Sequence, residues 1–163
     1  MASGDTLLIF HPMNYEPPSS GYATPDNRNG RPCLDFDGIT QECTLFSFIL
    51  PRTYASGGIG VYIHHAATSG TTGTIGWIVD FERVGDRQLD IDSDSFGPSQ
   101  IIGAETVSGT AGEVDIVYTD MPNGSGIDYL SVGEYGRLRV KRDVANDTCP
   151  SDAELYAIEL REL

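Results

Sequence analysis

The sequence predicts an all-β fold, an antiparallel β-sandwich of the jelly-roll type with an extended N-terminal arm. From about residue 44 onwards, apolar and polar residues alternate in short segments, and no stretch shows a helical period. In the clearest segment, Ile75, Trp77, Val79 and Phe81 fall on one face of a strand. Because 19 glycines and 9 prolines supply breaks between segments, the pattern favours many strands joined by turns.

Residues 1–43 form the predicted arm. Thr6 to Phe10 is a short apolar strand, and Cys33 to Asp37 alternates again. Between them, prolines fix φ and bias the residues before them towards extended backbone. An extended segment without its own core gains stability only by lying against something else. We therefore expect the arm to contact a neighbouring subunit more than its own body, so that deleting residues 1–30 leaves the body folded. The alternative is a loop that wraps its own domain.

Residues 44–163 form the predicted body, with Trp77 and Phe81 in its core and Ile78 on the opposite face. A strand contributed by the arm brings the total to eight or nine, which favours a jelly roll over an immunoglobulin-like sandwich. The segment from Ser69 to Gly73 is typical of a tight hairpin loop. The predicted body strands are Leu45–Leu50, Ile59–Ala66, Thr74–Arg83, Ile101–Val107, Glu113–Thr119, Tyr135–Arg142 and Glu154–Leu160.

The net charge of −14 narrows the choice of partners. A field of that sign repels phosphate backbones and anionic membranes, so we expect neither nucleic acid nor a membrane as partner. It suits docking on a basic or mixed protein surface. Lys141 is the only lysine, and lysine is a common guard of exposed strand edges. We therefore expect some edges to be covered by loops, by the arm or by another subunit.

The start of the chain and the cysteines predict synthesis in a cytoplasm. The apolar run from Leu7 to Phe10 is too short for a signal core and lacks a basic flank, and no apolar run reaches transmembrane length. Cys33, Cys43 and Cys149 are odd in number and have no CxxC spacing. This predicts three reduced thiols, with a Cys33–Cys43 bridge as the alternative.

No recognised catalytic or cofactor motif is visible, so we predict no catalytic residue and no cofactor. The sequence lacks a P-loop, a dinucleotide-binding glycine motif, a nucleophile elbow and zinc-spaced ligands. His64 and His65 are adjacent in a strand, so their rings point to opposite faces, and His65 shares the parity of the core. His11 in the arm is more typical of a contact residue than of a base. With this many carboxylates, a glycosidase pair stays open as an alternative.

Asp90, Asp92 and Asp94 form the sharpest local pattern. Alternation places their carboxylates on one face of an extended loop, and carboxylate oxygens are the ligands that calcium prefers. The loop lacks the glycine and the distal glutamate of an EF-hand. We predict an acidic edge without tightly bound metal, facing water or arginines such as Arg83 and Arg87, with a calcium site as the alternative.

The tyrosines support two interpretations. Aromatic side chains in or beside strands occur in many carbohydrate-binding sandwiches, but they also fill cores, and packing is the favoured interpretation. The residues concerned are Tyr54, Tyr62, Tyr118, Tyr129, Tyr135 and Tyr156.

Short strings along nearly the whole chain resemble a group of bacteriophage structural proteins. They are Ser3–Leu8, Glu16–Pro18, Tyr22–Thr24, Arg28–Asn29, Leu34–Asp37, Leu50–Arg52, Ala66–Thr68 and Leu89–Phe96. The nearest implied role is a jelly-roll capsid cement, or decoration, protein of the kind found on the heads of short-tailed cyanophages. Such proteins usually stand as trimers on the shell, and the resemblance brings no catalytic residues with it.

We therefore expect a non-enzymatic protein on the outer capsid surface of a virion, made in the bacterial host cytoplasm. Its expected partner is the major capsid protein, whose subunits it ties together. We also expect a homotrimer, because Leu45, Ile49 and Ile78 are apolar residues on the second faces of strands. The alternative function is a carbohydrate or receptor-binding module of a tail fibre or baseplate, and the third is an enzyme such as a polysaccharide hydrolase.

Overall fold

A computed structural model describes residues 2–163 and arranges them as two antiparallel β-sheets packed face to face. The predicted all-β sandwich is confirmed. No helix in the described part of the chain has the length and apolar character that a bilayer span requires. The strands are β1 (Thr6–Phe10), β2 (Thr24–Arg28), β3 (Arg31–Phe36), β4 (Cys43–Ile49), β5 (Ile59–Ala67), β6 (Thr74–Val84), β7 (Gln100–Thr106), β8 (Asp115–Met121), β9 (Tyr135–Arg142) and β10 (Ala153–Glu162).

Sheet A has six strands and sheet B has four. Sheet A runs in the order β2-β3-β10-β5-β8, and β1 also pairs with β10, further along the strand than β3. Sheet B runs in the order β4-β9-β6-β7. Two short 3₁₀ turns, Pro12–Asn14 and Ser125–Ile127, lie in the connections.

The core lies between the sheets and is built from their inward-facing aromatic and aliphatic side chains. Trp77 is fully buried, and its ring meets Phe36 of the opposite sheet edge-on at 5.0 Å. Phe81 is also fully buried and packs edge-on against Phe48 at 6.0 Å. Ile78 lies half-buried on the other face of β6. The predicted face of this strand is therefore confirmed.

The arm contributes to the sandwich of its own chain. Strand β1 pairs with β10 from Thr6 to Phe10, and β3 pairs with the same strand nearer its start. Side chains of the arm also enter the core, among them Phe10, Leu34 and Phe36. Residues 1–30 contain the two strands β1 and β2 and the core side chains Leu7 and Phe10, so the structure argues against the expectation that the body folds without them.

Strand β2 was not predicted. Its sequence begins with Thr24-Pro25 and has exposed side chains along most of its length, so it shows no alternation of apolar and polar residues. It forms because β3 supplies a partner, with Thr24 opposite Asp35 and Arg28 opposite Arg31. Proline is tolerated there because β2 is an edge strand.

The segment from Ser69 to Gly73 was predicted to be a hairpin loop. It is instead a crossover between the two sheets. It joins β5 of sheet A to β6 of sheet B, and those strands do not pair. Gly73 has a φ of +90°, and a Cβ there would lie 2.8 Å from the backbone nitrogen of Cys149. The glycine therefore serves a close backbone approach rather than a tight turn.

The three residues that suggested a trimer differ in exposure. Leu45 is buried, because the arm lies beside β4 and exchanges backbone hydrogen bonds between Glu16 and Leu45 at 2.7 and 3.1 Å. Ile78 is half-buried, and Ile49 is exposed. The homotrimer stays a prediction, and Leu45 no longer supports it.

The three cysteines are free thiols. Cys33 and Cys149 are buried, and Cys43 is half-buried. Burial raises the pKa of Cys33 to about 11, which favours its protonated form and lowers its reactivity.

Candidate docking surface

One side of the sandwich is left open by the fold. Strand β8 is the edge of sheet A and pairs only with β5, while β7 is the edge of sheet B and pairs only with β6. The connection 107–114 joins these two strands across the sandwich. We call β7, β8 and this connection the open side. Its two strands contain neither lysine nor proline, the residues that commonly protect an edge.

The opposite side is closed by the arm. The backbone of Glu16 forms hydrogen bonds with the backbone of Leu45, and the backbones of Gly21 and Ala23 form hydrogen bonds with that of Cys43. The edge of β4 is therefore partly paired. The other edge strands on that side are β2, which carries Pro25 and Arg28, and the five-residue β1, whose pairing with β10 contains a register shift. The sandwich therefore has one side guarded by its own chain and one side that is not.

Large apolar side chains stand exposed along the open side. Ile116 and Tyr118 project from the outer face of sheet A, Ile101 projects from sheet B, and Val114 lies on the connection. Their exposed fractions are 61% for Ile101, 51% for Val114 and 57% for both Ile116 and Tyr118. Single exposed apolar residues are normal, but Ile116 and Tyr118 are neighbours on one face of β8, and such a pair indicates an interaction surface.

A shallow groove of about 250 Å³ runs between the two edge strands. Its lining mixes polar and apolar side chains with exposed backbone, and it includes a glycine at position 103. The lining residues are Ile102, Gly103, Glu105, Thr106, Asp115, Ile116, Val117 and Tyr118.

The open side carries negative charge only. Residues 88–136 contain no lysine, arginine or histidine. Glu105, Glu113 and Asp120 are exposed, and Asp115 is half-buried. Asp115 accepts a hydrogen bond from the backbone nitrogen of Ser108 at 3.2 Å. A partner with positive charge would therefore be attracted to this side.

Two arginines of sheet A are already engaged, while Arg31 lines a groove with Gly112 and Val114 of the connection. Arg28 donates to Glu154 at 2.9 Å and to the carbonyl of Thr68 at 3.0 Å. Arg161 donates to Glu159 at 2.7 Å, and this hydrogen bond lowers the pKa of Glu159. Neither arginine is free to neutralise the carboxylates of the open side.

A pair of tyrosines marks the border between the open side and the outer face of sheet A. Tyr62 of β5 and Tyr118 of β8 are in register, and their rings stack with centroids 4.9 Å apart and planes 13° from parallel. The guanidinium of Arg161 lies over the Tyr62 ring at 3.9 Å. Tyr62 is thus held between a cation and a ring, and Tyr118 ends the stack with over half its surface exposed.

The predicted preference for core packing holds for Tyr54 but not for the other tyrosines. Tyr54 is buried, and its hydroxyl accepts a hydrogen bond from the backbone of Gly58 at 3.0 Å. Tyr118, Tyr129 and Tyr135 are exposed, whereas Tyr62 and Tyr156 are half-buried on the outer face of sheet A. That prediction was therefore wrong for most of the set, because alternation does not reveal which face of a strand is covered.

The outer face of sheet A also holds a wider groove, of about 390 Å³, beside the arm. Arg28, His64 and Tyr156 line it. The Tyr156 hydroxyl donates to Glu154 at 2.6 Å, and burial and this contact raise its pKa. Glu154 is thus shared by Arg28 and Tyr156, which makes this cluster a fixed support for the sheet.

The two adjacent histidines lie on opposite faces, as predicted. His65 is buried against the Trp77 ring at 5.3 Å, and burial lowers its pKa to about 4. It is a core residue, neutral at physiological pH. His64 is half-buried on the outer face, and His11 is exposed in the arm.

Asp90, Asp92 and Asp94 lie in the loop between β6 and β7. Asp90 and Asp92 are exposed and Asp94 is half-buried. Asp90 accepts hydrogen bonds from the loop itself, from the backbone nitrogens of Asp92 at 3.0 Å and Asp94 at 2.8 Å. Among the described residues, no three carboxylate, histidine or cysteine side chains are grouped as a metal site. The absence of tight metal binding stays a prediction.

Arg83 does not pair with these aspartates but with Glu134, at 2.6 and 2.7 Å. The loop between β6 and β7 also covers a row of charged side chains on the outer face of sheet B, formed by Asp80, Arg139 and Lys141. We call this row the charged ladder. Asp80 is fully buried there and accepts hydrogen bonds from Arg139 at 2.7 and 2.9 Å and from Lys141 at 3.0 Å. The ring of Phe96 closes over Arg139 at 4.0 Å.

Burial alone would raise the pKa of Asp80, but the hydrogen bonds from Arg139, Ser99 and Lys141 outweigh it and lower the pKa. Asp80 is therefore held ionised. The ladder of sheet B is a structural network, in which the loop side chains Phe96 and Ser99 complete the cover.

The fold is similar to that of several carbohydrate-binding modules. A family 35 module from an environmental isolate matches with a TM-score of 0.54 and 12% identity, over 94% of this chain and 92% of that one. The CBM22-1 xylan-binding domain of Paenibacillus barcinonensis Xyn10C matches with a TM-score of 0.53 and 12% identity, over 99% and 96%. A two-module fragment of Clostridium thermocellum xylanase 10B, solved with xylohexaose, matches with a TM-score of 0.56 and 13% identity.

The last match covers 99% of this chain but only 29% of that one. At these identities the likeness establishes the sandwich fold alone. No family model matches the sequence, and no curated protein matches it.

Proposed function

We propose that the chain is a non-enzymatic capsid decoration protein that docks on the outer head shell of a tailed phage and ties major capsid subunits together. The observation that carries this proposal is the asymmetry of the sandwich. One side is closed by the chain's own arm, and the other presents two unprotected edge strands with exposed Ile101, Ile116 and Tyr118. An edge of this kind invites pairing with another chain unless a partner covers it.

The charge distribution supports the same function. A protein with a net charge of −14 stays soluble before assembly and is attracted to a basic or mixed protein surface. The resemblance of the sequence to phage structural proteins favours the major capsid protein as that surface.

The absence of enzymatic activity is also part of the proposal. Three buried carboxylates are each paired with an arginine. Asp80 pairs with Arg139, Glu82 pairs with Arg137, and Glu154 pairs with Arg28. Side chains held in this way support the sheets and are not presented to a substrate. The sandwiches of similar fold bear the names of carbohydrate-binding modules.

The location of the protein on the particle tests the proposal. Gold-labelled antibody against the chain, applied to virions of the phage that encodes it, should decorate the head at many positions in electron micrographs. Antibody pre-absorbed with the purified chain is the control. Label confined to the tail, or no label on intact virions, would contradict a decoration role.

We further propose that the protein is a homotrimer. Exposed Ile49 and half-buried Ile78 are the apolar side chains that another subunit could cover. Multi-angle light scattering should give three times the 17.6 kDa mass of the chain. A strict monomer, both free at micromolar concentration and on particles, would be the contrary result.

A second candidate function is carbohydrate recognition by a tail fibre or baseplate module. The stacked Tyr62–Tyr118 pair favours it, because an exposed aromatic ring beside polar groups suits stacking against a sugar ring. The similar folds of carbohydrate-binding modules add support.

A glycan array separates the two functions. If the chain binds sugars through this pair, Tyr118→Ala should abolish capture and Tyr129→Ala should not, since Tyr129 is equally exposed but lies in a loop away from the stack. The absence of any glycan bound by the wild-type chain would remove this candidate.

A further inference from the structure

The five edge strands of the sandwich are not equivalent. Strand β1 pairs only with β10, through a register shift between Thr6 and Leu8. Strand β2 carries Pro25, and β4 is bridged by the arm. Strand β7 pairs with β6 through an irregular register between Ile75 and Trp77. Strand β8 pairs with β5 without a register shift over its whole length, from Met121 opposite Ile59 to Asp115 opposite His65. Among the described strands, β8 is thus the regular edge that stays open.

A regular open edge is a template for an added strand. One row of backbone N–H and C=O groups of β8 faces away from β5, and an extended segment can pair with them. Seven residues at about 3.4 Å each give a pairing length of roughly 24 Å, enough for a segment of six or seven residues.

The side chains of β8 restrict what such a segment can be. On the outer face of sheet A, Ile116 and Tyr118 are exposed and apolar, and Asp120 follows them with the same parity. Cross-strand neighbours interact directly, so apolar residues fit opposite Ile116 and Tyr118, and a basic residue fits opposite Asp120. Glu105 across the groove adds a second negative charge.

A second copy of the chain is a poor occupant of this edge. Two copies would bring together open sides that hold carboxylates and no basic residue, and each copy carries a net charge of −14. Like charges placed across an interface oppose binding. The observations therefore favour a partner of opposite charge.

We propose that β8 accepts, by strand addition, an extended segment of the partner protein that places apolar residues opposite Ile116 and Tyr118 and a lysine or arginine opposite Asp120. This inference rests on the proposed function, because it names the part of the shell protein through which the chain docks. It also assigns the outer edge of β8, rather than the arm, as the primary contact.

Synthetic heptapeptides test the proposal with the full-length wild-type chain. The probe carries valine opposite Ile116 and Tyr118, lysine opposite Asp120 and on the face towards Glu105, and a fluorescent label for anisotropy. The first control peptide replaces each lysine by glutamate. The second control peptide retains the lysines but carries N-methyl groups on alternate backbone amides, which removes the hydrogen-bond donors that would pair with β8. The proposal predicts binding of the lysine peptide alone, with affinity falling about tenfold or more as salt screens the charges.

Variants of the chain locate the contact. The double variant Glu105→Lys/Asp120→Lys should lower the affinity for the lysine peptide at least about tenfold, because it reverses two charges beside the bound segment. Asp26→Lys is the matched control, since Asp26 is also an exposed carboxylate on an edge strand, β2, and should leave binding unchanged. Thermal melts of both variants establish that they remain folded.

Several outcomes would overturn the inference. Equal binding of the N-methylated peptide would show charge attraction without strand pairing, and equal weakening by Asp26→Lys would place the contact elsewhere. Sedimentation of the wild-type chain with purified phage heads separates this failure from that of the proposed function. Binding to heads without binding of the lysine peptide overturns the strand addition alone, whereas binding to neither overturns both.

Discussion

The rings of Tyr62 and Tyr118 stack across strands β5 and β8, with centroids 4.9 Å apart and planes 13° from parallel. Such a pair contributes about 0.5–1.5 kcal/mol beyond the burial of its area. Because Tyr62 is held on its other side by Arg161, the pair fixes Tyr118 in place at the edge of sheet A. The edge proposed for docking is therefore ordered before a partner arrives, which reduces the entropy lost on binding.

Trp77→Ala should lower the free energy of unfolding by about 3–5 kcal/mol. Trp77 is fully buried between Phe36 and His65, so its removal leaves a cavity in the centre of the sandwich. Urea denaturation followed by circular dichroism measures the change. Ile101→Ala is the control, and it should cost less than about 0.5 kcal/mol because Ile101 is mostly exposed. A loss below 1 kcal/mol for the tryptophan variant would contradict this packing.

Asp80→Ala should destabilise the protein by about 3–5 kcal/mol, since it leaves the charges of Arg139 and Lys141 without their partner beneath the loop. Asp92→Ala removes an exposed carboxylate from that loop and should change stability by less than about 0.5 kcal/mol. Chemical denaturation of both variants provides the comparison. Equal stability of the two would show that the ladder does not support sheet B.

The pH dependence of stability should contain two opposed contributions. Burial lowers the pKa of His65 from 6.5 to about 4. Between these values the unfolded chain binds a proton that the folded chain does not, so stability falls as the pH falls through this window. Burial and the neighbouring charge of Asp152 raise the pKa of Asp35 from 3.8 to about 6. The contribution of Asp35 is present at low pH and is lost as the pH rises through about 6.

His65→Leu isolates the first contribution. The wild-type protein should lose on the order of 3 kcal/mol relative to this variant between pH 7.5 and pH 3.5, since one pKa unit corresponds to about 1.4 kcal/mol. Urea denaturation at a series of pH values gives the difference directly. Parallel stability profiles for the two proteins would show that His65 does not titrate as its burial requires.

Deletion of residues 1–30 should prevent folding of the remaining chain. It removes β1, which pairs with β10, and the core side chain of Phe10. It also removes the backbone bridges at Glu16 and Tyr22 that close β4. The truncated protein should show no cooperative thermal transition. A truncated protein that melts cooperatively would restore the view of the arm as an attachment device separate from the body.

Millimolar calcium should leave the melting temperature unchanged relative to chelator. Asp90 and Asp92 face water, and the carboxylate of Asp90 is occupied by the backbone of its own loop. Differential scanning fluorimetry with and without chelator measures the effect. A calcium-dependent rise of many degrees that disappears in Asp92→Asn would make the loop a structural calcium site.

The body strands were predictable because each buries one face, and burial of one face imposes a period of two on the sequence. Strand β9, Tyr135–Arg142, has the bounds that the sequence predicted. Strand β2 escaped prediction because its side chains are exposed on both faces, and only its pairing with β3 makes it a strand.

The open side was only partly predictable. The scarcity of lysine indicated unguarded edges, but the sequence does not state which strands lie at the edges. That depends on pairing over long sequence separations, such as Ile59 with Met121. For the same reason the stack of Tyr62 on Tyr118 had no local signal, because register between distant strands decides it.

Hydrogen exchange of the chain bound to purified phage heads is the decisive test of docking through the open side. Backbone amides of β8, and to a lesser extent those of β7, should exchange more slowly on heads than in the free protein. Those of β2 on the guarded side should be unchanged. Protection of β2 and β4 with none at residues 115–121 would contradict docking through the open side.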